Sequence, residues 1–342
     1  MDPISQGVLG AISSQSFARN KNILIAAFCG FISASTPDLD ILIRSTSDPL
    51  LKLEYHRHFT HSLLFIPIGA LIVAFLLWGI FFRKNHKFIV IYLFSFIGFA
   101  THGLLDAMTS YGTLLYWPFY GTRVNWNVIS IIDPLFTIPL LIFCIISCVK
   151  KSSFIARIGL CIALLYLLIG YSKHYQIKKL LFKVAKSQHH IVEDYFIDPT
   201  IANNMSWRAI YKYKKHFYIY AFYISPFFSS DYIKGDTVET IDIEKIFPYL
   251  DRNSKQINDI KRFDIFTSSF MSLHHNNKNI IIDLRYNMLP QSSKHPLWGI
   301  VIDENNKNQH AEFKMLSEQH FDRLSVFWML LNGDFDNLKK HK

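Results

Sequence analysis

Four short stretches of this chain carry residue types that can do chemistry. Pro37-Asp38-Leu39-Asp40 sets two carboxylates two residues apart beside a proline. His56-Arg57-His58-Phe59-Thr60-His61-Ser62 packs three imidazoles and a guanidinium into seven positions. His102 and Asp106 are four apart and so share a helix face, where they can bind one metal together or Asp106 can orient the imidazole. Asp133-Pro134 offers either a helix cap or a further carboxylate. Carboxylates and imidazoles with no thiolate among them suit zinc, manganese or iron and leave coordination positions for water. Such a water, brought to a near-neutral pKa, is a hydrolytic nucleophile. Arg57 can clamp a phosphate or carboxylate. Thr60 or Ser62 can cap the helix that follows, and His61 then sits where backbone N–H groups favour an anion.

The elements that must position these residues are apolar. The spacing predicts helices over about 3–18, 22–36, 62–82, 87–105, 129–149 and 154–172, arranged in three pairs. Ser62 to Phe82 holds no charge, and at about 1.5 Å per residue it spans roughly 30 Å, the thickness of a bilayer core. The fold class expected is therefore an all-α membrane bundle, 1–172, followed by a β-rich extramembrane domain, 200–342, with 173–199 as an amphipathic stalk or linker. Residues 217–224, 279–284 and 297–302 read as strands, 234–236 and 276–277 as turns, and 317–331 as a closing helix.

All seven acids of the first 172 residues, Asp2, Asp38, Asp40, Asp48, Glu54, Asp106 and Asp133, fall at one set of helix ends. The tight connections at the opposite ends, around 19–21, 83–87 and 150–157, carry eight bases and no acid. Positive residues favour the cytoplasm, so the acid and histidine rim is expected to face outward. The lysines after the sixth helix, at 173, 178, 179, 183 and 186, run against this, although long domains translocate largely regardless of charge. The start of the chain, Asp2-Pro3 with no basic n-region, does not read as a cleavable signal. The net charge of +10 comes without an arginine-rich tract or a nucleic-acid fold signature, so lipid headgroups rather than nucleic acid are the expected partner. Cys29, Cys144, Cys148 and Cys161 lie in apolar segments without zinc-finger spacing and read as small buried hydrophobes.

Taken together, Met1-Asp2-Pro3-Ile4-Ser5-Gln6, Pro37-Asp38-Leu39-Asp40, His56-Arg57 with Thr60-His61-Ser62, His102 with Leu105-Asp106, and Thr109 with Tyr111-Gly112-Thr113 resemble the YdjM/YbcI-type membrane-bound metal-dependent hydrolases. Trp117-Pro118-Phe119, Arg123, Ile132-Asp133-Pro134, Ser206-Trp207-Arg208 and Asp283-Leu284-Arg285-Tyr286 extend the likeness over most of the chain. The resemblance implies a multi-pass protein of the bacterial cytoplasmic membrane and a hydrolase distantly similar to zinc-dependent phospholipase C and P1-type nucleases. It implies zinc, or else manganese or iron, held by Asp40, His61, His102 and Asp106, with Asp38 and His56 next in line. Arg57 and His56 are then the catalytic candidates, acting on a phosphoester that is lipid-linked, and Gln6, Thr60, Thr109, Tyr111 and Asp133 line the site. Many relatives carry His where this chain has Gln6, and position 58 is usually small. Two other readings use the same residues: a non-catalytic envelope protein with a structural metal or polar cluster, and an ion-coupled transporter. The acid-free inner connections argue against the transporter.

Overall fold

The computed structural model describes residues 1–226, 229–316, 323–338 and 340, and divides into two compact units. The first comprises 1–43, 55–172 and 201–203; the second comprises 44–54, 173–200 and 204–342.

The first unit is helical. Asp2 caps α1 (Pro3–Phe17), accepting from the Ile4 and Ser5 amides, with Pro3 at the first helical position where its missing N–H costs nothing. Then come α2 (Ile23–Ser35), a 3-10 turn over Pro37–Leu42, and the short α3 (Leu51–Tyr55), which straddles the unit boundary. α4 (Ile66–Leu77) ends in a π-helical turn, and α5 (Phe88–Ala107), α6 (Pro134–Lys150) and α7 (Ser153–Ser187) follow. Helices thus stand at all six expected places. Among the described residues, four apolar stretches are long enough to cross a membrane: Asn20–Leu42, Leu63–Phe82, Phe88–Ala107 and Ser153–Ser187; α6 is a shorter apolar helix.

Glycines set the helix spacing. A side chain at Gly10 would overlap Gly30 and Ala34, and one at Gly98 would overlap Gly30, so the backbones of α1, α2 and α5 meet at one crossing. Because these helices run alternately up and down, the start of α1, the end of α2, the start of α4 and the end of α5 share one end of the bundle.

The second unit holds two antiparallel four-stranded meanders. The first is β1 (Asp194–Pro199), β2 (Ser206–Tyr213), β3 (His216–Ile224) and β4 (Ser230–Glu239); the second is β5 (Met271–His274), β6 (Asn277–Asp283), β7 (Trp298–Val301) and β8 (Glu312–Met315). Short α8 (Ile243–Ile246), amphipathic α9 (Lys255–Thr267), α10 (Arg323–Asn332) and short α11 (Phe335–Leu338) complete it. The expected strands at 217–224, 279–284 and 297–302 are β3, β6 and β7. Of the closing helix read over 317–331, residues 317–322 lie outside the described residues and the remainder is in α10.

Two features differ from the sequence reading. The segment 173–199 divides between the end of α7 and β1, and its helical part buries Ile177, Leu181, Val184 and Ala185 against Trp207, Tyr211, Tyr220 and Phe222. Gly235, expected in a turn, lies inside β4, beside a register shift opposite Tyr218 and Tyr220. A side chain there would overlap the Gln291 carbonyl, so the glycine serves close backbone approach.

A candidate metal centre at one end of the bundle

His102 sits in the last turns of α5, fully buried. Its Nδ1 is 2.5 Å from the Ala34 carbonyl, which can only accept, so Nδ1 carries the proton and Nε2 presents a lone pair when the ring is neutral. His61, in the turn before α4, is set the same way. Its Nδ1 donates to Thr60 Oγ1 at 2.9 Å, and that hydroxyl in turn donates to Asp40 Oδ2 at 2.9 Å. The two Nε2 atoms face each other at 2.8 Å.

Two carboxylates close the group. Asp38 Oδ1 is 3.4 Å from each Nε2. Asp106 Oδ2 is 3.2 Å from His61 Nε2 and 3.4 Å from His102 Nε2. A tetrahedral zinc with bonds of about 2.0–2.1 Å holds its donors about 3.3–3.4 Å apart. Three of the edges match that figure and the His61–Asp106 edge is slightly shorter at 3.2 Å, while the still shorter His–His edge sets lone pair against lone pair unless a proton or cation intervenes. Asp106 Oδ2 is also a fully buried oxygen with no well-directed hydrogen-bond donor, an arrangement that a cation satisfies. Asp38, His61, His102 and Asp106 therefore fit a metal ion by donor type, by spacing and by charge. The electrostatics agree. Burial works against a charged His61, yet Asp106, Asp38 and Asp40 outweigh it and hold the His61 pKa up at about 10.

The supporting residues explain why these donors converge. Gln6, in the first turn of α1, donates through Nε2 to Asp106 Oδ1 at 2.9 Å, so its amide anchors the carboxylate. The Met1 α-amino group lies 2.5 Å from the same oxygen. Asp40 stands behind His61, not beside its free nitrogen: Oδ2 accepts from the Arg57 amide at 2.8 Å and from Thr60, and Oδ1 pairs with His56 Nδ1 at 2.8 Å. Asp38, Asp40 and His56 form a second, adjoining group that shares Asp38 with the first. Arg57 adopts a left-handed backbone (φ 61°) that turns its buried guanidinium inward. Its Nε is 3.2 Å from Asp106 Oδ2, and Nη1 donates to Thr109 Oγ1 at 3.0 Å. Tyr111 carries two guanidinium groups over its ring, Arg57 at 4.8 Å and Arg123 at 5.1 Å.

Residues 1–177 match the YdjM inner membrane protein family, a stretch that includes every residue just described. The chain belongs to that family. This YdjM-family chain is also 25% identical over 198 residues to a Bacillus subtilis (strain 168) protein described as uncharacterized protein YfhP, an overlap that covers 58% of each chain. No solved structure matches it.

Of the residues expected in the site, the structure brings together Gln6, Asp38, Asp40, His56, Arg57, Thr60, His61, His102, Asp106, Thr109 and Tyr111. Asp133 is not among them. It caps α6 through the Leu135 and Phe136 amides and accepts from the Tyr166 hydroxyl at 2.7 Å, so the capping alternative applies. His58 packs against Tyr55 and Trp117. The other rim acids, Asp2, Asp48 and Glu54, each have a structural partner: Asp2 is the α1 cap, and the other two pair with Arg262. Arg123, which enters the sequence reading only through the resemblance and not as a site residue, has a place beside the site over Tyr111.

A third acidic group, Asp48, Asp259 and His310, lies in the second unit. Arg262 already supplies its positive charge, with hydrogen bonds to Asp48, Glu54 and Asp259 at 2.5 to 3.1 Å. It is an ion-pair network that ties residues 44–54 to α9.

Proposed function

We propose that this YdjM-family protein is a membrane-embedded, metal-dependent hydrolase of phosphoesters. The observation that carries the reading is the convergence of Asp38, His61, His102 and Asp106 on one point beside a buried arginine. Zinc is the cation that suits two imidazoles and two carboxylates at tetrahedral spacing. Held by these residues, it would supply Lewis acidity toward a phosphoryl oxygen; with Asp38, the partly exposed donor of the four, giving up its place, it would make a water acidic enough to attack at neutral pH.

The chain's own residues account for the rest. Asp38, His61, His102 and Asp106 hold the ion. Thr60 and Asp40 fix the His61 tautomer, the Ala34 carbonyl fixes that of His102, and Gln6 fixes the rotation of Asp106. Arg57 has Nη2 for an anionic oxygen, since Nη1 donates to Thr109 and Nε lies in ion-pair range of Asp106. His56, half-buried and held through Nδ1 by Asp40, has Nε2 to exchange a proton with the leaving group or with water. On the positive-inside rule we assign this rim, and the domain after α7, to the outer side of the cytoplasmic membrane.

Purified wild-type protein is expected to hydrolyse a phosphomonoester in the presence of zinc, and His102→Ala and Asp106→Ala to lose that activity while remaining folded. The complete burial of His61, His102 and Asp106 also favours a second reading, a structural cation that pins the helix ends. In that case the same variants melt earlier and the wild type turns over no phosphoester.

A further inference from the structure

Beside the centre, within the first unit, lies an apolar cleft of about 260 Å³ walled by Leu39, Ile43, Phe65, Ile72 and Phe99. Its lining also includes Asp40 and Thr60, the two residues that hold His61. We propose that this cleft seats one acyl chain of a membrane phospholipid whose anionic headgroup lies at the metal centre.

Three observations identify the occupant. Most of the wall comes from the apolar stretches Asn20–Leu42, Leu63–Phe82 and Phe88–Ala107, and Leu39 and Ile72 are more than half exposed, so the medium meeting the cleft is hydrocarbon. Asp40 and Thr60 join it to the polar centre, so a molecule filling the cleft has its head among the site residues. The guanidinium groups of Arg57 and Arg123, gathered on Tyr111, give that head positive partners. A soluble anion would meet the arginines and leave the cleft unused; a hydrocarbon alone would do the reverse. A bilayer already solvates acyl chains, so the cleft adds little affinity. What it adds is position, holding the headgroup phosphorus at a fixed depth and register beside the ion.

The inference rests on the proposed hydrolase reading for what happens to the headgroup, but its test does not depend on turnover. The full chain is placed in phosphatidylcholine nanodiscs containing a phosphatidic acid with a diazirine in one acyl chain, irradiated, and mapped by peptide mass spectrometry. Labelling is expected to concentrate on residues 63–73, several-fold above that of the exposed face of α6 at Ile138, Ile142 and Ile145, and to fall on addition of unlabelled phosphatidic acid. Ile72→Trp and Leu39→Trp, both at exposed positions, should reduce that labelling without changing metal content. Equal labelling of the two helices, or labelling unaffected by both tryptophans, would overturn the proposal. Concentrated labelling without any phosphoester hydrolysis supports the lipid seat and removes the hydrolase reading instead.

Discussion

Asp40→Asn is the most informative single change, because it separates a ligand from a residue that orients one. The substitution keeps the size of the side chain. The carboxamide oxygen can still accept from the Arg57 amide and Thr60 at the Oδ2 position, and the new NH2 group faces His56 Nδ1, which can change tautomer to accept. The fold should therefore survive, at a cost of about 1–3 kcal/mol for weakening hydrogen bonds to a charged group. What disappears is the negative charge behind Thr60 and His61. Substitutions of that kind lower metal affinity by about 10–100-fold, which is roughly 1.4–2.7 kcal/mol. The assay is a zinc titration of the chelator-stripped protein in detergent, with thermal unfolding measured in parallel. Affinity within about threefold of wild type, with unfolding unchanged, would refute the claim that Asp40 acts through His61. Complete loss of zinc would show instead that Asp40 is itself a ligand, through the group it forms with Asp38 and His56.

Further changes test other parts of the structure. Gln6→Ala removes the amide that anchors Asp106 Oδ1 and should weaken zinc binding by about tenfold without abolishing it, read by the same titration. Gly10→Leu places a side chain where α1 meets Gly30 and Ala34, and should cost about 1–3 kcal/mol or more through overpacking, read as a lower unfolding temperature of the helical unit. Arg208→Leu strips the carbonyls of Leu284, Leu289, Pro290 and Ser292 of a buried donor, and should destabilise the second unit by about 3 kcal/mol or more; proteolysis of the 284–292 loop would report it. Burial raises the Asp48 pKa, but Arg262 outweighs it and holds the carboxylate below its usual range. The anchoring of residues 44–54 is then fully present above the ordinary carboxylate pKa and is lost as pH falls through the depressed one. Amide exchange in 44–54 should be slow at neutral pH, faster on acidification, and fast at neutral pH in Arg262→Met.

The helical half was legible because its signals are local and repeated. Uncharged apolar runs fix the helices, base clusters mark one set of ends, and the up-and-down path then brings Asp38, His61, His102 and Asp106 to the other. Spacing alone did not divide those residues into ligands and supports. Asp40 and Asp38 are equivalent as sequence, and only the hydroxyl of Thr60 lying between Asp40 and His61 sets Asp40 behind the ring. Gln6 looked like a missing imidazole because its role depends on an oxygen a hundred residues away. Asp133 stayed open between cap and site residue because an acid before a proline at a helix start reads equally as either; its bonds to the Leu135 and Phe136 amides make it the cap. In the second unit the aromatic and β-branched runs marked β3, β6 and β7 but not the other described strands, whereas Gly235 carried the chemistry of a turn and proved to be a close approach to Gln291. The helical stripe after residue 172 was visible, but β2, which sets Trp207 and Tyr211 against it, was not read as a strand.

Everything proposed for the site depends on Asp38, His61, His102 and Asp106 holding a metal ion. Elemental analysis of the protein purified without chelators, beside His61→Ala and His102→Ala, tests it most directly. At least one tightly held zinc per wild-type chain is expected, and its loss from both variants. A natively folded wild type that contains no transition metal, and takes up none from micromolar zinc, would contradict it.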